Sequence, residues 1–255
     1  MSSIPKLLKL KDYITLIGTT IGLIALIAGS LGTRGSISFG FFLTSICLGT
    51  DLIDGYIARK TGTVNEMGKE LDSLSDSITF GIVPAVLTYL AFRTGQIFDL
   101  ILIIGCIIFA LGALLRLARF NLSIDTGYVG VPTPLSALLV IMYYFSNYYY
   151  VIAVGDIYAP FLDIAYYFIP FGMTLLGWMN ITTFIKFSEK SKMTYIIVII
   201  IAPLSPIFGI IGVSNPSPIL SLIISLFFIL TFFGFILWTF IRSLLKYIMK
   251  KESNN

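Results

Sequence analysis

Four aspartates, Asp51, Asp54, Asp72 and Asp76, fall within one stretch of 26 residues, DLIDGYIARKTGTVNEMGKELDSLSD. Asp51 and Asp54 are spaced i, i+3, and Asp72 and Asp76 i, i+4, so each pair shares one face of a helix. Carboxylates this close need a counter-charge to stay ionised together. A donor set made only of oxygen suits a hard divalent cation such as Mg²⁺ or Mn²⁺. Two such cations on shared carboxylates form a clamp for displacement at phosphorus, with charge stabilised on both the attacking and the leaving oxygen. Arg59, Lys60 and Lys69 lie within or beside the stretch and offer a phosphate cationic partners. Gly55 and Gly68 permit close approach of backbone to a ligand, or of one helix to another.

The elements that carry these residues are apolar. ISFGFFLTSICLG precedes the first pair and SITFGIVPAVLTYLAF follows the second, so two membrane helices are expected to meet at a short polar turn. A single aspartate at such a helix end is ordinarily a cap or a solvated charge. Four together are costly beside lipid and mark function. A cation path through a transporter would account for the carboxylates, but not for the basic residues between them.

The 255 residues are 57% hydrophobic and 12% charged, which places the chain among all-α, polytopic membrane helix bundles rather than soluble domains. No pattern of a cleavable signal peptide is expected to precede the first span. The chain has no histidine, so proton transfer falls to Asp, Glu, Lys, Tyr or water, and no metal is His-ligated. Cys47 and Cys106 sit in apolar runs and read as buried thiols without a disulfide.

Residues 1–11 are basic and amphipathic, and are expected to lie on the membrane surface with Leu7, Leu8 and Leu10 toward lipid. Eight spans follow, near Tyr13–Leu31, Ser36–Ile57, Leu71–Phe92, Asp99–Arg119, Leu135–Ala153, Phe161–Thr183, Thr194–Val213 and Ile219–Ile241. Gly18 and Gly22 in the first have the GxxxG spacing of close helix packing. The YYFSNYYY run in the fifth resembles an aromatic belt at the membrane interface. Pro203 and Pro206 are expected to kink the seventh. With eight spans, 15 of the 17 basic residues fall on the side of the N-terminus, Arg34 and Arg93 being the exceptions. By the positive-inside rule both termini and the aspartates then face the cytoplasm of a multi-pass cell-membrane protein. The net charge of +4 therefore reflects membrane sidedness and implies no nucleic-acid partner.

Asp51-x-x-Asp54-Gly55-x-x-Ala58-Arg59, eight residues, and then Gly68-x-x-x-Asp72-x-x-x-Asp76 resemble the signature of the CDP-alcohol phosphotransferases at every position. The resemblance implies a six-helix catalytic core, here residues 1–185 with the interfacial N-terminus, followed by two additional spans and a basic tail in residues 186–255. It implies transfer of a phosphatidyl-type group from a CDP-linked lipid, CDP-diacylglycerol or CDP-archaeol, to an alcohol, with release of CMP. By the same resemblance, Asp51, Asp54 and Asp72 would hold one cation and Asp51, Asp72 and Asp76 a second, and Asp76 would take the proton from the attacking hydroxyl. Gly55, Ala58 and Arg59 would meet the CDP moiety, as would Asp12 and Thr15, although the family often carries Asn in place of Asp12. Asn65 stands where a relative has a donor-contacting Ser. Members of the family often form homodimers, and no feature of this sequence singles out a dimer face.

Arg116-Leu-Ala-Arg119-Phe120-Asn121 and Gly130-Val-Pro132-Thr133-Pro134-Leu-Ser136-Ala137 resemble stretches of the serine-using branch, the phosphatidylserine and archaetidylserine synthases. The resemblance points to L-serine as acceptor, with Arg116, Arg119 and Asn121 binding it. On the residues alone, two arginines would serve glycerol phosphate or inositol phosphate equally well, or would mark the membrane boundary and snorkel.

Overall fold

Apolar runs separated by glycine- and proline-bearing turns fold as long helices, because a backbone in lipid must satisfy its own hydrogen bonds. The computed structural model describes residues 4–61, 65–122, 128–155, 158–187, 207, 209–212, 214 and 216–252. The helices are α1 (Ile4–Leu7), α2 (Leu10–Ser30), α3 (Arg34–Thr61), α4 (Glu66–Asp76), α5 (Val83–Phe92), α6 (Asp99–Leu122), α7 (Thr133–Ala153), α8 (Asp163–Ile181) and α9 (Pro218–Glu252). Between α4 and α5, Ser77–Ile82 form a wide π-helical turn in which the Val83 N–H reaches back to the Ile78 carbonyl. Two short strands, β1 (Tyr128–Val129) and β2 (Lys186–Phe187), pair antiparallel with Tyr128 opposite Phe187.

Seven helices among the described residues are long and apolar enough to cross a membrane, with α4, the wide turn and α5 acting as one span. They correspond to the expected spans one to six and eight. The expected seventh, Thr194–Val213 with its two prolines, lies outside the described residues apart from 207 and 209–212. Ring contacts give α9 its direction. Tyr143 meets Phe232 while Phe145 meets Phe228, so α9 runs antiparallel to α7. Phe168 meets Phe232 while Trp178 meets Phe240, so α9 runs parallel to α8. Consequently α8 ends and α9 begins at opposite ends of the bundle.

In the N-terminal segment the chain breaks between α1 and α2; Leu7 and Leu10 are exposed, while Lys11 and Asp12 are buried. The cause is local, since Asp12 Oδ2 accepts the Lys9 N–H at 2.7 Å and starts α2 there. The close packing expected from Gly18 and Gly22 is present. A Cβ on Gly18 would lie 2.5 Å from Thr50 Oγ1, and one on Gly22 would lie 2.7 Å from Thr79 Cγ2. Cys47 and Cys106 are free and buried.

The YYFSNYYY run is not an interfacial belt. Tyr143, Tyr144, Phe145, Tyr148 and Tyr149 are buried, because α7 is the central helix, packed by α3, α5, α8 and α9. Their rings pack against Phe41 of α3, Phe92 of α5, Phe168 of α8 and Phe228 of α9. The Tyr144 hydroxyl pairs with Ser38 Oγ at 2.5 Å and the Tyr143 hydroxyl donates to the Ala165 carbonyl, so hydroxyls that a belt would give to water are satisfied inside.

Candidate active site

Asp51 and Asp54 come from the last turns of α3, and Asp72 and Asp76 from α4. Because only four residues separate α3 from α4, the two pairs are brought to the same end of the bundle. One carboxylate oxygen from each of Asp51, Asp72 and Asp76 lies within 4.8 Å of the others, a separation that one cation can bridge. All four aspartates line one narrow cleft, together with Thr15 and Gly18 of α2 and Ser75 of α4. Asp54 is buried, and its Oδ2 accepts the Thr15 hydroxyl at 2.7 Å. One turn along α2, the Thr19 hydroxyl donates to Ser75 Oγ at 2.6 Å. Two hydroxyls of α2 thus hold the two acid-bearing helices in register. The oxygen-only donors, gathered from two rigid helices, fit a divalent cation.

Several residues expected at the site have partners elsewhere. Asp12 caps α2, and its Oδ1 lies 3.0 Å from Lys11 Nζ. Asn65 is the N-cap of α4: its Oδ1 accepts the Gly68 N–H at 2.9 Å and its Nδ2 donates to the Leu7 carbonyl. Gly68 is small for a reason other than ligand approach, since a Cβ there would meet Asn65 Oδ1, Asp12 Oδ1 and Lys11 Nζ. Gly55 continues α3 directly after Asp54. Ala58 and Arg59 lie further along the same helix, and their side chains are outside the described part.

The three residues expected at the acceptor separate. Arg116 is buried and donates to Thr133 Oγ1 at 3.1 Å; with Asn121 meeting Ser73 and Ala113 facing Gly81, α6 runs antiparallel to α4 and the wide turn, which puts Arg116 near the level of Asp76. Arg119 instead clamps backbone: Nη1 donates to the Ile181 carbonyl, and Nη2 to the carbonyls of Val129 and Asn180. Asn121 braces α6 on α4, accepting from Ser73 Oγ at 3.1 Å and donating to Glu70 Oε2. Sequence reasoning missed Thr19, Ser75 and Asn180, and gave Thr133 and Ser136 no individual role within their stretch. The available signal was polar residues at helical spacing within apolar runs, such as Thr15 with Thr19 and Ser75 with Thr79.

A family model described as CDP-alcohol phosphatidyltransferase matches residues 9–175. The chain belongs to this family. In this CDP-alcohol phosphatidyltransferase family member the matched stretch takes in the aspartate cluster and Arg116 and ends within α8, before Asn180 and α9. Curated relatives agree. A Methanocaldococcus jannaschii protein named CDP-diacylglycerol–serine O-phosphatidyltransferase is 40% identical over 141 residues, 55% of this chain and 63% of the relative. An archaetidylserine synthase of Methanothermobacter thermautotrophicus is 31% identical over 166 residues, 64% of this chain and 66% of the relative. A CDP-diacylglycerol–serine O-phosphatidyltransferase of Helicobacter pylori is 30% identical over 208 residues, 80% of each chain. The chain thus spans just under two thirds of the first two relatives.

Proposed function

We propose that this multi-pass membrane protein transfers a phosphatidyl or archaetidyl group from a CDP-linked lipid to the hydroxyl of L-serine. The serine oxygen forms a bond to the phosphorus that carries the lipid, the bond from that phosphorus to CMP breaks, and the hydroxyl proton passes to Asp76. The observation that carries this reading is the convergence of Asp51, Asp72 and Asp76 oxygens within 4.8 Å, in a cleft that also contains Asp54. Asp51, Asp54, Asp72 and Asp76 would hold two cations, Mg²⁺ or Mn²⁺. When bound, these polarise phosphoryl oxygens and stabilise charge on the attacking and leaving oxygens. All four ligands come from one chain, so a second copy is not needed to complete the site.

Thr15 fixes Asp54, and Arg116 offers a buried positive charge near Asp76 for the carboxylate of serine. The names of the relatives favour serine over a polyol phosphate. Residues 1–185 form the catalytic core in this reading, and residues 186–255 supplement it. The excess of basic residues expected at the end that holds the aspartates supports a cytoplasmic side for that end. The basic residues Arg59, Lys60 and Lys69 beside the aspartates also speak against a transporter, whose cation path would not need them.

The purified protein, given CDP-diacylglycerol or CDP-archaeol and Mg²⁺ or Mn²⁺, is expected to release CMP on addition of L-serine. Release with glycerol phosphate or inositol phosphate and none with serine would refute the acceptor. Metal-dependent flux into liposomes without CMP would refute the reaction.

A further inference from the structure

The bundle buries a second polar group, of which the reaction above uses only the first member. Arg116 on α6, Thr133 and Ser136 on α7 and Asn180 on α8 are all buried. Arg116 Nη1 donates to Thr133 Oγ1, and Ser136 Oγ donates to Asn180 Oδ1. Thr133 and Ser136 are three residues apart and share a face of α7. The two hydrogen bonds therefore form a strip that crosses from α6 over α7 to α8. At the first end Arg116 stands near the level of Asp76, because α6 runs antiparallel to α4 and the wide turn, with Asn121 meeting Ser73 and Ala113 facing Gly81. At the other end Asn180 Nδ2, in a residue with no exposed surface, has no hydrogen-bond partner among the described residues. An amide N–H₂ removed from water without an acceptor is unfavourable, and such groups in native folds need an explanation.

Ser136 holds the Asn180 side chain through Oδ1, and the backbone around Asn180 is fixed as well. Its backbone carbonyl accepts Arg119 Nη2, and the neighbouring Met179 carbonyl accepts the Val131 N–H at 2.9 Å. Gly130 has φ of 80°, and a Cβ on it would overlap the Asn180 carbonyl oxygen. The glycine lets the GVPTP turn lie directly on the end of α8.

We propose that Asn180 is a specificity-determining residue for the acceptor, its Nδ2 donating to the acceptor's anionic group alongside Arg116. The assignment rests on the transferase reading. An amide with two free donors and a guanidinium together select a charged oxygen group. The carboxylate of an amino acid and the phosphate of a polyol phosphate share that chemistry.

The test uses the full-length protein in detergent with CDP-diacylglycerol and Mg²⁺. CMP release is followed with L-serine, L-serinamide and glycerol 3-phosphate, for the unaltered protein and for Asn180→Ala, Asn180→Asp and Ser136→Ala. The KM for the anionic acceptor is expected to rise about 10- to 100-fold in both Asn180 variants, the range for a lost hydrogen bond to a charged group. The KM for CDP-diacylglycerol should not change, and Ser136→Ala should give a smaller rise. The arm that loses affinity, serine or glycerol phosphate, identifies the anion. With serine as acceptor, the preference for serine over serinamide should shrink in Asn180→Ala. An unchanged acceptor KM, or a fall in kcat with both KM values unmoved, overturns the assignment. If the Asn180 variants fail to fold, Ser136→Ala decides alone, and an acceptor KM at the unaltered value overturns it. Absence of CMP release from the unaltered protein with every acceptor refutes the transferase reading itself, and this assignment with it.

Discussion

Thr15 on α2 donates its hydroxyl to Asp54 Oδ2 on α3 at 2.7 Å, and both residues are buried in the wall of the same cleft. A helix with no carboxylate in the cleft thereby orients one of its four. Thr15→Val keeps the side-chain shape and removes the donor. It is expected to raise the metal concentration for half-maximal CMP release by about 10- to 100-fold, the usual effect of losing a partner that orients a metal ligand. Thr15→Ser should stay near the unaltered value. Equal metal dependence in all three proteins would remove Thr15 from this role.

Asp76→Asn keeps a carbonyl oxygen in the cluster and loses the proton acceptor. Turnover should fall by about 10²- to 10⁴-fold, the contribution of a positioned general base. Mn²⁺ binding, followed by electron paramagnetic resonance, should persist. Retained turnover would give the proton to another group.

Exhaustive chelation should abolish CMP release, and Mg²⁺ or Mn²⁺ should restore it. Full activity in the chelated protein would disprove a metal role for the aspartates.

Gly22→Ala places a methyl group against Thr79 Cγ2 and should destabilise the protein by about 1–3 kcal/mol. Thermal unfolding in detergent would read the loss. Adding Thr79→Ala removes the colliding methyl group and should recover part of it. Two losses that simply add would show that α2 and the wide turn do not press on each other there.

Ser146 and Ser225 exchange hydrogen bonds reciprocally, each hydroxyl donating to the other's carbonyl, at 3.1 and 2.8 Å. Ser225→Ala leaves one of the two and should lower stability by roughly 0.6 kcal/mol, the average for polar contacts between membrane helices. A melting temperature unchanged by both Ser225→Ala and Ser146→Ala would mean that this pair does not fasten α9 to α7.

The aspartate cluster was legible in the sequence because i, i+3 and i, i+4 spacing converts directly into a shared helix face, and a short turn leaves two helices little choice but to be neighbours. Gly18 and Gly22 were legible for the same reason. The aromatic run was not, because Tyr and Phe are enriched both at interfaces and in a helix enclosed on all sides, and only the neighbours of α7 decide between them. Arg119 was misleading for a related cause. An arginine near a helix end can take a ligand or backbone carbonyls, and its carbonyl partners Asn180 and Ile181 are about sixty residues away in the chain. Asn65 had a local signal, a polar residue just ahead of Glu66 at the start of a helix, which a cap explains.

The wide turn at Ser77–Ile82 separates two demands on one span. Ahead of it, α4 presents Asp72 and Asp76 to the cleft, and beyond it Val83 and Leu87 of α5 go into the core. Each residue advances an ordinary helix by about 100°. A span one residue shorter at that joint would keep its acids in phase with the cleft or its aliphatic side chains in phase with their neighbours, and not both. The number of those six residues is therefore a requirement in its own right, beside the packing of Thr79, Phe80 and Gly81.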